Sequence, residues 1–237
     1  MKANYLRTTD GRLYYQEMGQ GAPIIFVHGN GQSHRVFLPF AQKLGDDFRC
    51  ILMDSRGHGR STFGRRPLTI ATMVNDLELL RNKEGLDSCI IIGFSDGANI
   101  ALEYAAKYPQ HAHAAIAISP NLHPGGLKWW TRLALNLFQK LLLTLVYLKW
   151  PLQQQLKRTQ LMLYQSDLTV TTLGQIRAAT LVLTGKHDVV RLAHLKELVQ
   201  HINNAQLVVV GNTHHLSLFR HIDYYTRLFS SFLSQYS

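Results

Sequence analysis

Cysteine is scarce in this chain: only Cys50 and Cys89 occur in 237 residues. Both fall inside apolar, strand-like runs, which marks them as buried thiols of a reducing compartment and excludes a disulfide-stapled scaffold. Also missing is any unbroken apolar run of the roughly 20 residues that a membrane-spanning helix needs. The opening MKANYLRTTDGRLYYQ lacks the apolar centre of a secretory signal. A soluble, cytoplasmic protein is expected. Charged residues make up only 17% against 46% hydrophobic, which is too apolar for a disordered chain. One stretch lacks charge of one sign altogether. From Tyr104 to Ser166 there is no Asp or Glu, while Lys107, Lys128, Arg132, Lys140, Lys149, Lys157 and Arg158 all fall there, so much of the net charge of +10 is local. No zinc spacing, basic zipper or aromatic RNA-binding motif accompanies it, and nucleic acid is not expected as a partner.

What is present is an alternation. Pro23 to Gly31, Phe48 to Ser61, Ser88 to Ser95, His113 to Ser119, Thr180 to Gly185 and Gln206 to Asn212 each contain a short apolar run that reads as a strand buried on both faces. Between them, Thr69 to Lys83, Gly97 to Tyr108 and Val189 to Ile202 carry apolar residues at helical spacing. Strand and helix in alternation imply right-handed crossovers and an α/β, doubly wound, mostly parallel sheet. Such a sheet places its chemistry at the carboxyl ends of its strands. One domain is expected, with residues 1–119 and 176–237 forming the sheet body and 120–175 inserted as helices. Within the insertion, Trp129, Trp130, Leu133, Ala134, Leu137, Phe138, Leu141, Leu142, Leu145 and Val146 repeat in pairs four apart until Pro151, and a glutamine-rich helix follows from Leu152 to about Tyr164.

The stretch CIIIGFSDGANIALEYA, Cys89 to Ala105, runs from strand into helix through Gly93-Phe94-Ser95-Asp96-Gly97. A serine hydroxyl is a weak nucleophile until it projects toward a base and a substrate, and a sharp strand-to-helix turn achieves this. The turn crowds its flanks, hence the two glycines. The helix behind it aims free N–H groups at any oxyanion forming beside Ser95. The loop His28-Gly29-Asn30-Gly31 can present the Asn30 N–H as a second oxyanion donor beside that of Asp96. Gly185-Lys186-His187-Asp188 brings an acid after a later strand, and Gly211-Asn212-Thr213-His214-His215 a base after the last.

In this order the motifs resemble those of serine hydrolases of the α/β-hydrolase fold superfamily. HGNG is similar to the oxyanion loop, DSRGHGRS from Asp54 to the turn after a strand, GFSDGA to the nucleophile elbow and GKHD to the acid loop. Ala98, Ala179 and Ile222 depart from the family pattern without removing a catalytic atom. The resemblance implies a Ser95, Asp188, His215 triad. No carboxylate occurs in SPNLH, where some family members keep the acid, and the tail LSLFRHIDYY favours His215 over its neighbour His214. Asp54 is expected to hold a turn, Asp76 to sit on a helix surface, and His28 and His58 to brace loops.

The helical insertion falls where the family carries a lid. Trp129, Trp130, Leu133 and Leu137 are expected to wall a substrate pocket; the alternative is a helix resting weakly on an anionic membrane surface. The expected substrates are small to medium apolar carboxylic esters, with no metal or cofactor. Carbon–carbon hydrolysis of dienoic ketoacids and a ligand-receptor role remain open, as does the purpose of the Asp96 side chain: a helix-dipole partner or a site for a substrate ammonium.

Overall fold

The computed structural model describes residues 1–145, 150–163, 166, 168–234 and 236. Eight strands form one sheet. They are β1 (Lys2–Thr8), β2 (Gly11–Met18), β3 (Ala22–Val27), β4 (Phe48–Met53), β5 (Cys89–Phe94), β6 (Ala112–Ile118), β7 (Ala179–Gly185) and β8 (Ala205–Val210). The spatial order is β1-β2-β4-β3-β5-β6-β7-β8. From β4 to β8 every pairing is parallel, while β1 and β2 form an antiparallel hairpin whose second strand runs antiparallel to β4.

The helices are α1 (Leu38–Leu44), α2 (Ile70–Lys83), α3 (Asp96–Lys107), α4 (Trp129–Leu145), α5 (Trp150–Leu163), α6 (Val170–Leu173), α7 (Leu192–Gln200) and α8 (Ile222–Leu233). Thr69 caps α2 by accepting the Thr72 N–H at 3.1 Å. Successive strand residues face opposite ways, so β5 splits its isoleucines between two cores. Ile91 joins Val27, Val74, Leu77 and Leu102 on one face, and Ile90 and Ile92 join Phe26, Phe37, Phe40 and Phe229 on the other. Helices α2, α3 and α7 cover the first face, α1 and α8 the second.

The hairpin and α1 have no counterpart in the sequence expectations, whereas α2, α3 and α7 fall where the periodicity places them and α8 begins within the tail LSLFRHIDYY. Between β6 and β7 the described residues hold helices and no named strand; Val146, Lys149 and Tyr164 lie outside the described residues. Both ends of the insertion are tied to the body. Near its start, the Lys128 N–H donates to the Val189 carbonyl at 2.9 Å and the Arg191 N–H to the Gly126 carbonyl at 2.8 Å. Near its end, the Ser166 hydroxyl donates to Glu103 on α3 at 2.8 Å. Among the described residues no helix is long and apolar enough to cross a membrane.

Candidate active site

Ser95 stands between β5 and α3 with φ 54° and ψ −117°, a conformation that L-residues avoid. The turn is so tight that a Cβ on Gly93 would lie 2.0 Å from the Gly97 carbonyl oxygen, and one on Gly97 2.0 Å from that of Val27. Backbone bonds hold the strain. The Ser95 N–H donates to the Ile118 carbonyl at 2.8 Å, and the Ser95 carbonyl accepts from Ala98 and Asn99 at 2.9 and 3.2 Å. Asp96 opens α3, so its N–H belongs to a first turn that has no carbonyl of its own helix to bond.

Asp188 and His215 meet because their loops are stitched together. The His187 N–H donates to the Thr213 carbonyl at 2.9 Å, and Lys186 to Val210 at 2.9 Å. His215 Nδ1 then lies 2.8 Å from Asp188 Oδ1. A carboxylate only accepts, so Nδ1 is the donor, and in the neutral imidazole Nε2 keeps its lone pair. The Phe94 ring packs against the His215 ring with centroids 4.8 Å apart, which brings the imidazole beside the serine turn. His214 goes elsewhere: its side chain is exposed and its ring lies 5.4 Å from that of His187.

Asp188 has a second partner that the sequence reading missed. The buried Ser119 hydroxyl donates to Asp188 Oδ2 at 2.6 Å, and the Val190 N–H reaches Oδ1 at 3.2 Å. Burial opposes the charge on Asp188, but the bonds from His215, Ser119 and Val190 outweigh it and hold the carboxyl at about 2. Ser119 has φ 55°, unusual for a serine. It opens the SPNLH segment, which contains no carboxylate.

On the other side of Ser95, the Asn30 amide donates to Asp96 Oδ2 at 2.9 Å and to the Arg158 carbonyl of α5 at 2.8 Å. The Asp96 side chain therefore links the Asn30 loop to the serine turn, and burial raises its carboxyl above the usual range. Arg158 in turn donates to the Gly57 carbonyl through Nε at 3.0 Å and Nη2 at 2.6 Å. His28 and His58 brace loops as expected: the Ser55 N–H donates to His28 Nε2 at 3.1 Å, and His58 Nδ1 lies 2.9 Å from the Arg56 carbonyl. Asp54 holds its turn by accepting the His34 and Arg60 N–H groups at 2.7 and 2.8 Å. Asp76 corrects the expectation of a surface position. It sits on the buried face of α2 beside Met73, Leu77 and Leu80, paired with Arg56, whose Nη2 donates to Asp76 Oδ1 at 2.7 Å and whose Nη1 donates to Asp10 at 3.0 Å. Trp129, Trp130, Leu133 and Leu137, expected to wall a pocket, stand exposed on α4. Among the described residues no group of three or more His, Cys, Asp or Glu has the geometry of a metal site.

A family model described as alpha/beta hydrolase fold matches residues 22–149. The AB hydrolase superfamily protein YisY of Bacillus subtilis is 33% identical over 107 residues, which cover 44% of this chain and 40% of that protein. The chain thus spans less than half the length of that curated relative. Solved structures match over nearly the whole fold. An alpha/beta hydrolase enzyme, MGS-M2, from a Medee basin deep-sea metagenome superposes with a TM-score of 0.86 at 19% identity, covering 99% of this chain and 98% of that one. A thermophilic esterase from Thermogutta terrifontis gives 0.79 at 20% identity, with both chains fully covered at 100%.

Proposed function

Because this chain belongs to the alpha/beta hydrolase fold family, we propose that it is a serine hydrolase that cleaves small to medium, rather apolar carboxylic esters through Ser95, His215 and Asp188. The observation that carries the reading is the 2.8 Å bond between His215 and Asp188, formed beside a serine held at φ 54°. Ser95 Oγ attacks the acyl carbon while its proton passes to His215 Nε2. The oxygen made negative is received by the N–H groups of Asp96 and Asn30. His215 then gives its proton to the departing alcohol, leaving an acyl-serine. Water, deprotonated by the same imidazole, attacks the acyl carbon; the free acid leaves and Ser95 recovers its proton. Asp188 keeps the proton on Nδ1 and stabilises the imidazolium. These steps call for no metal or cofactor.

The test is labelling by a fluorophosphonate together with turnover of p-nitrophenyl acetate. Wild type is expected to label and turn over. Ser95→Ala is expected to lose both, and His215→Ala to cost kcat about as much as the serine change, roughly 10⁴-fold or more. If His214→Ala proves the more damaging, the base is misassigned. Labelling without ester turnover points to carbon–carbon hydrolysis of dienoic ketoacids; a wild type that neither labels nor turns over overturns the hydrolase reading and favours a ligand-receptor role.

A further inference from the structure

The apolar stripe of α4 points away from the body. Leu142 is buried and Leu135 packs on the core, so one side of the helix faces inward. On the opposite side Trp129 is 70% exposed, Trp130 49%, Leu133 49%, Leu137 57% and Leu141 53%. Soluble surfaces scatter large apolar groups singly; a row of five on one helix marks an interaction site. Arg132, Asn136 and Lys140, four apart, run along one edge of the row, and Lys128 places its ammonium 5.0 Å from the Trp130 ring centroid. No acid lies on α4 or anywhere from Tyr104 to Ser166.

We propose that this face docks on the surface of an anionic lipid bilayer, with the tryptophans and leucines entering the headgroup boundary and Arg132, Lys140 and Lys128 meeting lipid phosphates. The chemistry matches that of an interfacial helix, apolar on one stripe and basic along its flank. A second copy of the chain fits less well, because two-fold pairing would set these cations against their own copies with no acid between them. The surface also connects to the catalytic side. Leu127, just before α4, bridges to Val190, whose N–H donates to Asp188 at 3.2 Å. Docking would therefore set the acid loop near the bilayer, where apolar esters concentrate.

The experiment is co-sedimentation of the full chain with phosphatidylcholine vesicles containing or lacking phosphatidylglycerol, at low and high salt, with Ser95→Ala run alongside. Binding is expected to the anionic vesicles only, to weaken with salt and to be unchanged by Ser95→Ala, which separates docking from the catalytic reading. Leu133→Asp with Leu137→Asp is expected to lower the bound fraction about tenfold or more, and Arg132→Glu with Lys140→Glu to do the same on anionic vesicles. All four side chains are exposed, so circular dichroism is expected to match wild type. The proposal is overturned if wild type ignores phosphatidylglycerol or if both double variants bind as wild type does. It is equally overturned if ultracentrifugation shows a dimer that Leu133→Asp with Leu137→Asp dissociates while no vesicle is bound, since the occupant is then a second copy.

Discussion

Under the proposed mechanism, Ser119 acts on the reaction through Asp188, which accepts its hydroxyl at 2.6 Å. A buried carboxylate that loses one of its donors becomes costlier to ionise, by about 1–3 kcal/mol. Ser119→Ala is therefore expected to lower kcat for an acetyl ester about tenfold with little change in KM, because the imidazolium forms only in the transition state. Ser119→Gly separates hydroxyl from backbone. It removes the same donor but tolerates φ 55°, so it is expected to share the loss of kcat while unfolding at a higher temperature than Ser119→Ala. Full activity in both variants would mean that the 2.6 Å contact only packs the strand end. The residues with local constraints were legible in the sequence: the glycines around Ser95 and the position of Asp188 after a strand. Ser119 was not, because its role depends on a bond across 69 positions of sequence. Nor does spacing distinguish His214 from His215; the stitched loops do, by turning only one of them toward Asp188.

At the scale of elements, the strands from β3 to β7 announce themselves because helices cover both faces and nearly every position favours apolar residues; β8, expected to be buried on both faces, is instead an edge strand that buries only Val210 outright. The β1–β2 hairpin at the sheet edge gives no such signal: β1 buries only Leu6 outright. Helix α4 is the instructive case. Its periodicity was legible, but a stripe of leucines has the same spacing whether it faces a pocket or the surroundings, so its direction had to come from the fold. The elbow offers a test at this scale. Gly93→Ala would force a Cβ to within 2.0 Å of a backbone oxygen, whereas a Cβ on Gly211 meets nothing within 4 Å. Gly93→Ala is thus expected to destabilise the protein by about 2 kcal/mol or more, and Gly211→Ala by well under 1. Urea unfolding followed by circular dichroism measures both. Similar midpoints for the two variants would show that the elbow relaxes around a methyl group and that Ser95 does not depend on its glycines.

Across the whole molecule, three buried histidines weaken the fold as the pH falls. Burial lowers His28 to about 4, His58 to about 3 and His194 to about 4; His28 presses further on His58, and His123 on His194. In the unfolded chain each takes up its proton near 6.5. As pH falls below about 6.5 the unfolded state therefore binds more protons than the folded one, and stability declines until the folded-state values of about 4 and about 3 are passed. Asp188 adds its own loss later. Its folded value of about 2 lies below the ordinary 3.8, so the stability it contributes is present above that ordinary value and disappears as pH falls toward 2. The histidines act at a higher pH than Asp188, while the raised carboxyls of Asp76 and Asp96 act in the opposite direction. Thermal unfolding is expected to show Tm falling by about 5 °C or more between pH 7 and pH 5, a range in which Asp188 stays ionised. His58 is the place to intervene, since its Nδ1 only braces the Arg56 carbonyl and its ring faces His28, Arg158 and Asp54. His58→Gln can keep the donor but cannot take up a proton. Whatever it costs at pH 7, the decline of Tm toward pH 5 is expected to become shallower than in wild type. A variant that loses stability at pH 7 yet keeps the wild-type slope would remove His58 from the acid response and leave it to His28 and His194.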